Sequence, residues 1–142
     1  MTDYVVDSCV VAKWILWESD SAQAQRFASD VKLSGARLIV LDLAFVETTN
    51  AIWKRFHRKL LTLADTDQLL DKLSRIPVHV EPAQPLLRAA LSIATEYRRS
   101  VYDALFVALS EKLDLLGITA DEPLYNAVRL DFPQIVLLRD WP

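Results

Sequence analysis

Four acidic residues fall where acids are least expected, each beside or inside an apolar run. Asp7 follows Tyr4-Val5-Val6, Glu47 stands among Phe45, Val46, Ile52 and Trp53, Asp103 opens the apolar stretch through Leu109, and Asp121 follows Gly117-Ile118-Thr119-Ala120. An unpaired buried carboxylate neutralises itself unless something compensates it. Each position also has an ordinary structural explanation. Asp7 and Asp121 fit helix N-caps, Ser100 to Asp103 fits a capping box, and Glu47 fits a polar helix face. Convergence of the four is harder to explain that way. Two like charges ~4 Å apart repel by about 4 kcal/mol at an effective dielectric near 20. Such a cluster needs protons or a cation, and oxygen ligands without Cys or His select a hard one such as Mg²⁺ or Mn²⁺. A hard cation on carboxylates is suited to phosphoryl chemistry, through a metal-activated water and charge stabilisation on the attacked phosphate.

The elements around these acids bring them to one edge. Tyr4 to Val6, Leu38 to Leu41, Val78 to Val80, Leu115 to Thr119 and Ile135 to Leu138 read as short strands. Helices are expected over Val10 to Trp17, Ala22 to Leu33, from an Asp42 N-cap to about His57, Asp65 to Arg75, Gln84 to Tyr97, and from Ser100 through the apolar run. Ser19 and Asp20 are expected to end the first helix and cap the second. Strands alternating with helices imply an α/β fold, a parallel sheet of four to five short strands flanked by helices. In such sheets sites gather at the carboxyl ends of the strands. Asp7 and Asp121 follow strands directly, and the helices of Glu47 and Asp103 both begin at that edge.

Composition narrows the class. The 142 residues, 52% of them hydrophobic with two glycines, suit one domain spanning residues 1–142. One cysteine excludes an internal disulfide, two separated histidines give no zinc spacing, and no run is long enough to span a bilayer, so a cytoplasmic location is expected. The net charge of −3 argues against a generally basic nucleic-acid binder. Setting the four acids aside leaves 15 of 19 against 16 Lys and Arg, so local basic runs decide. Lys13, Lys54, Arg98 and Arg99 are the candidate contacts to RNA or a protein partner. Trp14, Trp17, Trp53 and Trp141 are expected in the core, with Trp14 or Trp17 lining a partner groove as the alternative.

In order, Tyr4-Val-Val-Asp7-Ser-Cys9-Val-Val-Ala-Lys-Trp14, Glu47-Thr-Thr-Asn50, Tyr102-Asp103-Ala-Leu-Phe-Val-Ala-Leu109 and Thr119-Ala-Asp121-Glu-Pro-Leu124 resemble the acidic motifs of PIN-domain ribonucleases, and more narrowly VapC toxins of toxin–antitoxin pairs. The resemblance covers essentially the whole chain. It implies a three-layer PIN-like fold and Mg²⁺- or Mn²⁺-dependent hydrolysis of RNA leaving a 5′-phosphate. Asp7, Glu47, Asp103 and Asp121 become the catalytic quartet, with Asp7, Asp103 and Asp121 on the metal and Ser8, Asn50 and Thr119 supporting them. Implied partners are an RNA substrate, a small antitoxin and a second copy of the chain. One departure is Cys9, where the family commonly has a hydroxyl or amide residue; a thiol is a weak donor. Cys9 is therefore expected to be a small packing residue, with Ser8 as the substitute contact. A PIN-like domain that only binds RNA or protein, its site impaired at Cys9, is the alternative. A phosphatase phosphorylated on Asp7 ranks lower, because Asp7-Ser8-Cys9 lacks a second acid two residues on.

Overall fold

The computed structural model describes residues 2–142. Its strands are β1 (Tyr4–Val6), β2 (Leu38–Leu41), β3 (His79–Glu81), β4 (Leu116–Thr119) and β5 (Ile135–Leu137). All pairings are parallel, in the order β3-β2-β1-β4-β5. The first strand made is therefore the central one. Its neighbours β2 and β4 come from opposite halves of the chain, and Val5 pairs with Ile39 on one side and Gly117 on the other.

Side-chain alternation divides the core into two layers. Val5, Ile39, Leu41 and Ile135 point to a layer shared with α5 (Leu87–Tyr97), α6 (Val101–Leu113) and α7 (Glu122–Val128). Val6, Leu38, Val40 and Ile118 point the other way, to α1 (Ser8–Ile15), α2 (Ser21–Ser34), α3 (Leu43–His57) and α4 (Leu63–Ser74). Both faces of the sheet are covered, which explains why β2 is a continuous apolar run. The α/β expectation and the five strands hold.

From Ala104 to Ser110 every residue of α6 is buried, so it is the internal helix that its all-round apolarity predicts. It packs on α5 and over β1 and β4. Close approach to β4 depends on Gly117. A Cβ built there would overlap Ser110 Oγ and come within 2.9 Å of Phe106 Cζ.

Several boundaries and caps differ from the sequence expectations. α1 begins two residues early, because Asp7 itself caps it through Ser8 N–H. Asp42 does not cap α3; it is already helical, and its carboxylate accepts from Ala83 N–H at 3.2 Å, tying α3 to the segment after β3. Neither Ser19 nor Asp20 caps α2 by a side chain. Asp20 is left-handed at φ 67°, and Ser21 instead accepts from Glu18 N–H and donates to Leu16 C=O. α4 starts at Leu63 because Thr62 and Asp65 form a full capping box. A 3₁₀ turn over Gln84–Leu86, with its proline near the start, precedes α5. The tryptophans divide evenly. Trp14 is buried, and Trp141 packs edge-on against Tyr4 and Phe27, while Trp17 and Trp53 are 69% and 54% exposed.

Candidate active site

Asp7 ends β1 and enters α1, and its two carboxylate oxygens have different partners. Oδ1 accepts from Ser8 N–H at 2.9 Å. Oδ2 accepts from Thr119 Oγ1 at 2.7 Å, across 112 residues of sequence, and from Cys9 Sγ at 3.5 Å. The helix-capping contact of Asp7 and its contacts to Thr119 and Cys9 are thus carried by separate oxygens. Burial pushes its pKa up to about 7; the Thr119 and Cys9 hydrogen bonds oppose the rise, and the charges of Asp103 and Glu47 add to it.

Thr119 is fully buried at the end of β4, donating to Asp7 and accepting from Asp121 N–H at 3.1 Å. One hydroxyl therefore registers both strand ends. Asp121 caps α7 through Leu124 N–H at 3.1 Å, as its sequence context predicts, and its charge still reaches Asp103. Cys9 is more than filler. Its sulfur lies 3.5 Å from Thr119 Oγ1 and accepts from Ala120 N–H at 3.3 Å while approaching Asp7. Burial, then the charge of Asp7, pushes the thiol well above its ordinary range, so it is a neutral weak donor and no nucleophile.

Asp103 occupies the first turn of α6, where Ser100 Oγ accepts from its N–H at 3.1 Å. The return bond that would complete a capping box is not made, in contrast to Thr62 and Asp65. Its carboxylate remains available to the site. Burial and then Asp121 raise its pKa, against Arg99 and the Ser100 hydroxyl. Glu47, half-buried one turn into α3, is raised by burial and by Asp103, while a hydrogen bond with Ser8 favours its charged form. Asp7, Glu47, Asp103 and Asp121 are thereby linked in one electrostatic group. Three of them are held above their usual range, burial being the largest cause in each.

Among the described residues no three His, Cys, Asp or Glu side chains form a ready-made metal cage. Mg²⁺ does not require one, since it keeps several waters and binds through one or two carboxylates. The donor set, all hard carboxylate oxygens, fits such an ion.

The other expected residues fall in different places. Ser8 faces Glu47, whereas the Asn50 side chain forms no hydrogen bond to the acids and lines a depression with Phe45, Val46, Thr49 and Trp53. Lys13 is committed to Ser19 C=O and Glu18. Lys54 is exposed on α3. Arg98 is exposed and left-handed at φ 56°, closing α5, whereas Arg99 is partly buried beside Asp103 with its Nε lacking a partner. Cys9 is the contact that residue type alone conceals; its place two residues after Asp7 at a helix start is the available signal. A depression of about 840 Å³ lies at the opposite edge of the sheet, where Arg37 and His79 stand at the starts of β2 and β3, and contains none of the four acids.

A five-stranded parallel sheet in this order, covered on both faces and carrying acids at its carboxyl edge, is a PIN-like α/β architecture. The chain belongs to the PIN domain family, whose profile matches residues 4–130. It is 33% identical over 134 residues to Ribonuclease VapC3 of Pyrobaculum aerophilum, covering 93% of this chain and 96% of that protein. The crystal structure of PAE2754 from Pyrobaculum aerophilum superposes with a TM-score of 0.73 at 21% identity, over 97% of this chain and 92% of that one. A toxin–antitoxin complex from Klebsiella pneumoniae does so with a TM-score of 0.65 at 14% identity, over 96% and 98%.

Proposed function

We propose that this protein is a divalent-metal-dependent ribonuclease and the toxin of a toxin–antitoxin pair. The observation that carries the reading is the gathering of Asp7, Glu47, Asp103 and Asp121 at one sheet edge, where the Thr119 hydroxyl joins Asp7 to the Asp121 backbone and Asp103 lies within electrostatic reach of the other three. Its similarity to a ribonuclease over nearly its whole length supports the substrate class. Asp7, Asp103 and Asp121 would hold Mg²⁺ or Mn²⁺, which when bound supplies Lewis-acid stabilisation of phosphate charge and a more acidic water.

The chain's own residues do the rest. Thr119, Ser8 N–H and Cys9 fix the orientation of Asp7, so its carboxylate cannot rotate away from the edge. Glu47, with raised proton affinity and partial exposure, is suited to accept the proton of the attacking water. The new O–P bond forms on the side opposite the departing 3′ oxygen, which leaves with a solvent proton. The products are a 5′-phosphate and a 3′-hydroxyl. The impaired-site alternative is disfavoured, because Asp7 keeps its direct hydrogen bond from Thr119 and Cys9 adds a contact to each of them.

A small antitoxin is the proposed partner, in line with the complex named for the Klebsiella relative. A homodimer is supported by Leu87 and Leu91, one turn apart on α5 and 48% and 61% exposed. No described helix is long and apolar enough to cross a membrane, and we place the protein in the cytoplasm. The test is cleavage of end-labelled RNA with Mg²⁺, Mn²⁺ or chelator. Cleavage is expected only with metal, and Asp103→Asn should lower it by more than about 100-fold. Cleavage unchanged by Asp103→Asn would overturn the assignment.

A further inference from the structure

From the depression on α3 we infer a second element of the substrate site, a pocket for one unpaired nucleobase of the RNA; the inference rests on the ribonuclease reading above. The depression holds about 450 Å³ and is lined by Phe45, Val46, Thr49, Asn50 and Trp53. Trp53 and Val46 are 54% and 64% exposed although both are large and apolar. Exposed indole surface without a protein partner is a place where a planar ring gains by stacking.

Trp53 is also prepared for that use. The His57 ring lies parallel to it, with centroids 5.2 Å apart and planes 13° from coplanar. This gives a two-ring platform in place of a single mobile side chain. Beside the platform stands the Asn50 carboxamide, which has no hydrogen bond within the described residues and offers both a donor and an acceptor to a base edge. Thr49 is less available, because its hydroxyl donates to Phe45 C=O at 2.7 Å.

Placement ties the pocket to the acids. On a helix of about 100° per residue, Asn50 lies about 60° around from Glu47, and Trp53 about 60° beyond Asn50. Trp53 is about 9 Å further along the axis than Glu47. A base in the depression therefore belongs to a nucleotide close to the linkage at Glu47. Charge agrees: Glu47 is the single acid of α3, and its far end carries Lys54, Arg55, His57, Arg58 and Lys59. Lys54 and Arg58 flank the aromatic row and form no ion pair within the described residues, so they are free for phosphates. A purely apolar protein partner on this row would have to desolvate those same cations.

The test is equilibrium binding by fluorescence anisotropy of the full chain, in chelator so that nothing is cut, to labelled single-stranded oligo(A), oligo(C) and oligo(U). Trp53→Ala should weaken binding by about tenfold or more, and Trp53→Phe should keep most of it, because phenylalanine still stacks. Asn50→Ala should flatten the differences among the three oligomers. An abasic ribose-phosphate probe should bind wild type and Trp53→Ala alike. If wild type binds and cleaves RNA while Trp53→Ala binds every probe equally well, the pocket is overturned and the ribonuclease reading survives. If wild type neither binds nor cleaves RNA, both are overturned. Light scattering on the same samples covers the other occupant: if Trp53→Ala changes the number of chains per particle and leaves RNA affinity unchanged, this face joins protein to protein and the pocket proposal falls.

Discussion

Asp7 concentrates the chemistry of the site into one titration. Its ordinary pKa is 3.8 and burial raises it to about 7, so between those values the folded chain keeps a proton that the unfolded chain releases. Stability from this group is therefore lost as pH rises from about 4 to about 7, with no further loss above. In chelator, the melting temperature of wild type relative to Asp7→Asn should fall across that window and level off beyond it. A difference that stays flat in thermal melts from pH 4 to 8 would show that Asp7 is not buried as an acid. Thr119→Val should extend the loss to higher pH, because it removes a hydrogen bond that favours the charged form. The acids themselves were legible in the sequence, since each breaks an apolar run at a strand end or helix start. Cys9 was not. Its role is fixed by Thr119 and Ala120, about 110 residues away, and a thiol carries no local mark of which partner it meets.

At the scale of elements, the parallel sheet and the internal α6 followed from apolar patterning, the strand order did not, and the capping pattern is where local reasoning failed. Asp42 looks like a cap from its neighbours, yet its carboxylate goes to Ala83, a contact made only once β3 lies beside β2. Asp103 looks like half of a capping box, yet its carboxylate makes no return bond to the Ser100 N–H, which leaves it available for the proposed metal contact. Gly117 shows how tightly α6 is seated. Gly117→Ala would force Ser110 and Phe106 aside, at a cost of about 1–3 kcal/mol, read as a lower urea midpoint with an unchanged slope. Because Asp103 rides on α6, that substitution should also reduce cleavage at temperatures where the protein remains folded. Full activity and stability in Gly117→Ala would mean that the helix has slack the packing does not suggest.

The whole molecule sets a reciprocal relation between protons and the proposed cation. Metal needs ionised carboxylates, so Mg²⁺ or Mn²⁺ should stabilise the protein at pH 8 and have little effect at pH 5. At a concentration one hundred times the dissociation constant the gain is about 2.7 kcal/mol. For a chain of this size that corresponds to a rise of several degrees in melting temperature, absent in Asp103→Asn. An equal rise at both pH values would place the ion away from these acids.

The hydrogen bond from Thr119 to Asp7 has a consequence for the time at which activity arises during synthesis. A ribosome adding about 5–20 residues per second takes roughly 6–22 s to travel from the first partner to the second, because 112 residues separate them. Throughout that interval the nascent chain holds Asp7 without the β4 strand end that locks it. Premature termination anywhere before β4 yields an inert fragment in place of a partly active nuclease. A cell making this protein meets its activity only after β4 has been made.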